Sequence, residues 1–514
     1  SNSSYTRKNQ FSQGLNLDIA QGKIGSYTSY KYDHSDGWQN SRLTEDGEDI
    51  IETIAPLSLG YSSNNFSQKF TYDATEQLSF YANGGYYNRG LERPVEREDI
   101  TGGSKYNTTY EGYNWGAGAK YKLSKRNVIQ FDYSGNNYAS RYKYLIENSG
   151  YLPGQYALTK LQKFHDAELK GIFGFTTNST TVFGVDYRRE VLRRPDSDLD
   201  KSVYTASAYG QHEVKLWNHL TGVVGVRYDH HEQTGGRFTP KVAAMYNIGN
   251  FNVRATYAAG FRAPGIDELY YHMFKKTMGT RATISLGDEN LDPERSNYYS
   301  INMEYRTNRF SASVTGYLNY VKNMVTSKST KFDDLPEAEQ NQLREEFPEI
   351  GDLSSTKNLS VKNYFNFEKA TVKGFEVNLN GNLFPGFTLA GNYTYAYGRG
   401  LNEGGEWQNI ERSIRHTATI TGNYTHSWSD YTLNLNLNGR LQSKVYYPGD
   451  ADGNAPGYGI WNLNTFDGFR NFVIEPGIGI DNIFNKKDNR PLNKNFALYS
   501  PGRSVVVSLA LRLK

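Results

Sequence analysis

Four consecutive residues, Tyr270-Tyr271-His272-Met273, bring phenol, imidazole and thioether donors together. A neutral imidazole is a good iron ligand, and Tyr271 and Met273 offer further donors beside His272. The plainer reading is a loop histidine in solvent, or one that touches a substrate without iron. Asp450-x-Asp452-x-Asn454 has the spacing of a Ca²⁺ loop. No glycine follows Asn454, and Trp461 stands where the closing glutamate would sit, so a flexible acidic loop is the stronger reading. Asp229-His230-His231-Glu232 also gathers metal ligands. Adjacent residues of a strand point to opposite faces, so this run reads better as a polar rim. No GxSxG, HExxH or P-loop is present, and the chain is not expected to be an enzyme.

The elements that hold these residues are strands. The 514 residues include 42 Tyr and 50 Gly but are only 37% apolar, and mean hydropathy is −0.70. No run of 18 apolar residues exists, which excludes a helical membrane protein. A transmembrane barrel stays open, because only alternate residues of its strands face lipid. Residues 431–441 (YTLNLNLNGRL) put Leu433, Leu435, Leu437 and Leu441 on one face and asparagines on the other. Residues 504–513 and 387–397 alternate in the same way, and period two over ten residues means strand. Sandwich strands are usually about 5–6 residues long, whereas membrane-spanning strands need about 9–11. A net charge of +3 with no Lys/Arg block gives no reason to invoke nucleic acid. The chain has no cysteine, and residues 1–20 carry no signal-peptide pattern.

Connections alternate too. Short turns fall at Gln21-Gly22, Asp73-Ala74, Ser124-Lys125, Trp217-Asn218, Ile248-Gly249 and Phe384-Gly386, among others. Between them lie long polar stretches, of which 261–295 and 327–362 are the largest. Short turns on one rim and long loops on the other are the outer-membrane pattern, with the short turns periplasmic. About 21 strands are countable, the first near residues 5–19 and running toward the periplasm. Single-chain barrels of this kind have an even strand number with both ends periplasmic. Parity therefore places one upward strand before residue 1, for a total of about 22. The expected fold is all-β, a transmembrane antiparallel β-barrel over residues 1–514.

Several segments resemble TonB-dependent receptors: RATYAAGFRAPGIDEL (254–269), GDENLDPERSNYYSINMEYR (287–306), TVKGFEVNLNGNLFPGFTLAGNYTYAY (371–397), Ile414-Arg415-His416, and the terminal GIDNIFNKKDN…PGRSVVVSLALRL. Their order and spacing over the whole chain carry the resemblance. Its signature residues are Phe261, Arg262, Ala263 and Pro264 in the first box, and Asn290, Leu291, Pro293 and Glu294 in the second. Three departures stand out: Glu289 and Ile414 where the family often has proline, and an end on Leu513-Lys514 rather than an aromatic residue.

The resemblance implies a plug domain with a TonB box, expected before residue 1. It implies an outer-membrane transporter that imports a scarce metal chelate (ferric siderophore or haem, then cobalamin), energised through the TonB-ExbB-ExbD complex. Haem receptors of the family use a histidine of this loop as an axial ligand, which makes His272 the candidate. No cofactor is required; haem or a ferric chelate would be substrate, and Ca²⁺ would belong to a loop. Outer-membrane lipid and a surface lipoprotein are the other expected partners. Competing readings are a passive porin-like channel and a surface binding or adhesion barrel.

Three smaller expectations concern the rims. Pro264 ends a strand and shapes a loop root, across which Arg262 and Glu294 could pair. Residues 334–350 break the β pattern; Leu335, Leu343 and Phe347 suggest a short helix, with an exposed acidic loop as the alternative. Tyr and Phe near strand ends are expected to form aromatic girdles, with some in the loops free to hold ligand.

Overall fold

Alternation builds the wall. Val505, Val507, Leu509 and Leu511 of the strand Ser504–Leu511 are 40–55% exposed on the outer face. Such exposure of contiguous aliphatic side chains suits lipid, not water. The opposite face is polar. Asn438 Nδ2 donates to Thr421 Oγ1 (2.8 Å) and Asn392 Nδ2 to Asn378 Oδ1 (2.6 Å), forming ladders across neighbouring strands of the inner wall.

The structure is a computed structural model that describes residues 2–6, 10–37, 60–92, 106–147, 150–276, 282–401, 404–429, 431–446, 455–469, 474–487, 500 and 502–511. Its strands form one 25-stranded sheet. Three short strands, His272–Lys276, Ala282–Leu286 and Trp407–Asn409, lie in the extracellular loops. The other 22 pair antiparallel with their sequence neighbours and close on themselves, because Asn2–Thr6 pairs both with Gln10–Gln21 and with Ser504–Leu511. The total that parity required is met, but the upward strand expected before residue 1 is found at Asn2–Thr6. Five polar residues (NSSYT) are too short and too uniform to show a period-two signal.

Short turns follow Gln21, Asp73, Trp217, Ile248 and Phe384 as expected, but the turn expected at Phe466-Gly468 is strand, since these residues pair with Thr432–Asn434 inside Tyr458–Phe469. Gly22, Gly249 and Gly386 adopt φ of 60°, 57° and 82° at short turns, a region that favours glycine.

Beyond the rim, the two longest loops fold into one cap. Residues 337–346 are helical (α2, Glu337–Glu346), which settles the choice between helix and acidic loop. Ala282–Leu286 pairs parallel with the upper end of the long strand Leu359–Phe384. Ala282, Ile284, Phe332, Leu343, Phe347, Ile350, Leu359 and Val361 then form a buried core, with Leu335 partly buried against it. A barrel of this kind keeps its wall thin and its interior polar; the apolar packing seen here sits outside the membrane, in the cap.

Candidate functional site at the extracellular mouth

The strand Phe251–Arg262 ends at the Phe261–Pro264 box, and Arg262 lies directly across from Glu294, the first residue of Glu294–Arg306. The guanidinium donates from Nη2 to Glu294 Oε1 (2.7 Å) and from Nη1 to Glu268 Oε2 (2.9 Å). Glu268 belongs to the short helix α1 (Ile266–Tyr270) and also accepts from the Gly265 backbone N–H at 2.7 Å, closing the helix start. Glu294 accepts from the Val325 N–H at 2.8 Å. One arginine thus joins a strand end, a helix start and the next strand. Pro264, Leu291 and Pro293 are buried beneath it, and Asn290 bonds back to Asp288 through its backbone N–H at 2.8 Å. The pairing of Arg262 with Glu294 that was expected across the loop root is present. Arg262→Ala should leave two half-buried carboxylates facing each other and cost roughly 1–2 kcal/mol at this half-exposed site. Arg262→Lys should recover only part of that, since lysine lacks the bidentate fork. Limited proteolysis of the 262–294 loop in both variants measures it.

The structure divides the Tyr270–Met273 group. Met273 is buried. Tyr271 accepts a hydrogen bond from Arg194 Nη1 at 3.0 Å, and burial pushes its hydroxyl pKa up. Lys201 lies over the Tyr270 ring, 4.9 Å from its centre. Both tyrosines pack on Leu192, Leu199, Val203 and Ile266, which docks α1 onto the neighbouring hairpin. His272 points the other way: its Nε2 lies 3.2 Å from Glu346 Oε2 on α2, and its ring stacks on Phe347 at 4.4 Å. One imidazole nitrogen and one ring face are therefore engaged by the cap.

Glu346 is held below the usual carboxylate range, first by the Gln342 amide and then by His272. Its folded pKa lies below the unfolded value of 4.5, so the contact contributes stability above that pH and loses it as pH falls through the lower folded value. Protection of the α2 amides, measured relative to their intrinsic exchange rate at each pH, should therefore fall on acidification below about pH 4.5 in the wild type but not in Glu346→Gln.

Asp229-His230-His231-Glu232 lies at the end of the strand Leu220–His231, with its two histidines on opposite faces. His231 is buried in the inner wall, whereas His230 lies on the outer face near Tyr204 (6.3 Å). Asp229 accepts from Ser207 (2.8 Å) and Arg227 (2.7 Å), and Arg227 also pairs with Asp186 at 2.9 Å. Asp186, Arg227, Asp229 and His231 line a cavity of about 430 Å³ under the Phe261–Ile266 root. Asp450, Asp452 and Asn454 lie outside the described residues.

Inward-facing tyrosines form a second feature of the mouth that the sequence reading did not single out. Tyr106 stacks on Tyr142 (3.8 Å), Tyr110 on Tyr138 (6.0 Å) and Tyr144 on Tyr151 (4.8 Å). Strand register sets Tyr110 opposite Arg89, whose guanidinium covers the Tyr61 ring at 4.0 Å and whose buried Nε has no hydrogen-bond partner. The signal was in the sequence: Tyr106 and Tyr110, and Tyr138, Tyr142 and Tyr144, share even positions of their strands, opposite in parity to the lipid-facing Trp115 and Phe131.

A closed 22-stranded wall with long external loops and a polar interior is the architecture of an outer-membrane receptor barrel. The chain belongs to the TonB dependent receptor-like beta-barrel family, whose profile matches residues 2–483, and it is an outer-membrane protein of the Gram-negative type. It is 24% identical over 312 residues to the "Ferric enterobactin receptor PirA" of Pseudomonas aeruginosa, covering 55% of this chain and 38% of that protein. It is 22% identical over 286 residues to the "Vitamin B12 transporter BtuB" of Vibrio cholerae, covering 53% and 41%. A solved structure of the ferric enterobactin receptor PfeA of P. aeruginosa shares the fold, with a TM-score of 0.73 and 15% identity over 99% of this chain and 79% of that one. The matches to the curated relatives span only about two-fifths of those proteins' length.

Proposed function

We propose that this barrel belongs to a transporter that imports a ferric siderophore across the outer membrane, energised through TonB with ExbB and ExbD by way of a plug domain. The observation that carries this reading is the inward tyrosine wall with Arg89 at its edge. Stacked phenol rings beside a guanidinium with an unused N–H suit a planar aromatic ligand bearing negative charge. The names of the relatives support a metal chelate as cargo, enterobactin iron for one and vitamin B12 for another. Haem ranks second, because His272 is engaged by Glu346 and Phe347 and would have to leave both to ligate iron. The cap also offers a surface to an external lipoprotein.

Uptake of radioiron as a ferric catecholate, in cells lacking their own receptors, tests the reading. Uptake is expected with the full-length protein and is expected to stop when the proton-motive force is collapsed. Uptake that survives the collapse, or large unregulated conductance in liposomes, would favour a passive channel; binding without any uptake would favour a surface adhesin. His272→Ala is expected to leave siderophore uptake intact, and a loss of haem binding in that variant would restore haem to first place.

A further inference from the structure

One strand pair of the wall is unzipped at its upper end. Gly235–Ile248 and Phe251–Arg262 pair antiparallel upward from the Gly249-Asn250 turn, from Ile248 opposite Phe251 as far as Lys241 opposite Ala258. Alternate residues of a strand send their backbone groups to opposite sides. The Asn247 N–H bonds to the His219 carbonyl of the neighbouring hairpin arm, so the even-numbered residues of Gly235–Ile248 serve Phe251–Arg262. The next of them is Pro240, which has no N–H to give. Above it each strand keeps only its other neighbour: Gly235–Pro240 pairs with Val226–His231, and Ala259–Arg262 with Glu294–Asn297. Among the described residues no backbone hydrogen bond crosses from one of these segments to the other.

The two faces of this split differ in chemistry. Outside and just below it, Tyr257 packs against Tyr299 at 5.1 Å, and such rings mark where hydrocarbon gives way to headgroups. Beside the split stands Phe238 with Tyr228 at 4.7 Å; at 72% exposure it is the most exposed large apolar side chain among the described residues. Val242 and Val226 continue the apolar strip down toward the membrane, 52% and 50% exposed. Inside, the cavity of about 430 Å³ reaches both edges of the split, touching Thr239 on one strand and Gly260, Phe261 and Arg262 on the other. Asp186, Arg227 and Asp229 make its far wall charged. A cavity of that volume is of ligand size.

We infer that the split is a side entrance to the mouth, used by the polar head of an acylated chelate whose tail stays in the outer leaflet. The inference rests on the import reading and narrows its cargo. An amphiphile dissolved in a leaflet holds the junction of head and tail at the interface, and the wall comes apart at that height. The tail lies along Phe238, Tyr228 and Val242, while the head passes between Thr239 and Gly260 to the charged cavity. Passage here parts side chains alone. Through a zipped pair, such as Tyr431–Gln442 with Tyr458–Phe469, it would break ladder hydrogen bonds and leave their donors and acceptors unpaired. A chelate without a tail does not collect at this height and enters from above.

The test compares two radioiron chelates that share one head group, one of them bearing a dodecanoyl tail, in cells that lack their own receptors and carry the full-length protein. Residues 1–514 contain no cysteine, so Phe238→Cys places a single exposed thiol of this barrel at the split. Modifying that thiol with a bulky methanethiosulfonate reagent is expected to cut uptake of the tailed chelate about tenfold, and reductant is expected to restore it. Uptake of the tail-less chelate is expected to stay unchanged. The same modification of Ile478→Cys, outward on a distant strand, is expected to change neither. Mass spectrometry confirms labelling, and a heat-dependent gel shift confirms that each variant is a folded barrel. Unchanged uptake of the tailed chelate after labelling at the split, an equal fall for both chelates, or wild-type uptake of the tail-less chelate alone overturns the entrance and leaves the import reading standing. Wild-type cells that take up neither chelate overturn the import reading itself, and the entrance with it.

Discussion

Replacing Phe332 by alanine should loosen the extracellular cap while leaving the barrel wall intact. Phe332 is the largest fully buried side chain among the described residues, with no exposed surface, and Arg344 of α2 lies over its ring at 4.9 Å. Truncating a buried phenylalanine costs about 3–5 kcal/mol. The neighbours Ile284, Leu343 and Val361 come from segments on both loops, so the void would open where those loops meet. The cost should therefore fall on the cap alone. Amide exchange in Ala282–Leu286 and in α2 should speed up roughly a hundredfold or more, whereas exchange in the wall strand Tyr431–Gln442 should not change. If cap and wall respond together, or neither responds, the cap is not a separate cooperative unit. Ferric chelate capture measured alongside would show whether an ordered cap is needed for binding.

The second large effect is expected inside the wall. Gly374 sits in the Val-Lys-Gly-Phe-Glu run of the family-like hairpin, facing inward across from Ala396. A Cβ built there would collide with the carbonyl oxygen of Tyr395 and come within 3.0 Å of the Tyr317 ring. Backbone cannot yield as a flexible side chain can, and a strand glycine often marks such a close approach. Overpacking costs typically about 1–3 kcal/mol and more where backbone must move. Gly374→Ala should therefore reduce the folded barrel recovered from outer membranes several-fold. Gly391→Ala is the control, because nothing lies within 4 Å of its Cβ position. Equal recovery of the two variants by heat-modifiable gel shift would show that the wall accommodates the methyl group.

The wall was legible because lipid imposes a strict rule on it. Every second residue of Ser504–Leu511 must be apolar and every other one must suit a polar lumen, so periodicity alone exposes the strand. Turn length on the two rims then gave orientation and parity. Two things escaped. Asn2–Thr6 has no apolar alternation to read, so its presence had to come from its pairing partners. The helix of the cap was among the expectations, but the union of the two loops was not, because its key contacts join distant segments: Thr283 meets Ser360, 77 residues away, along a parallel pairing that no local pattern announces. At the mouth, the pairing of Arg262 with Glu294 was foreseeable from two boxes that close one loop. The partner of His272 was not, because Glu346 comes from a helix in a different loop. Nor was the clamp formed by Asn366, which donates to the Asp292 and Asn323 carbonyls at 2.9 and 2.8 Å and ties the second box to the adjoining strands. Tyrosines were expected in the girdle; Tyr299 and Tyr320 do face out, while Tyr110 and Tyr138 turn inward by parity.

The cap also bears on how such a protein changes over generations. Its core draws on the two loops rooted at Arg262 and Glu294 and at Lys331 and Leu359, together with Val361 at the upper end of the wall strand. Exchanging one loop alone would expose half of an apolar core and abandon the parallel strand pairing. Exchanging both at once would carry the whole cap core onto another barrel, provided that its neighbouring hairpin offered α1 the apolar seat that Leu192, Leu199 and Val203 supply here. What the cell presents to its surroundings can thus be replaced as a unit, leaving the machinery in the membrane unaltered.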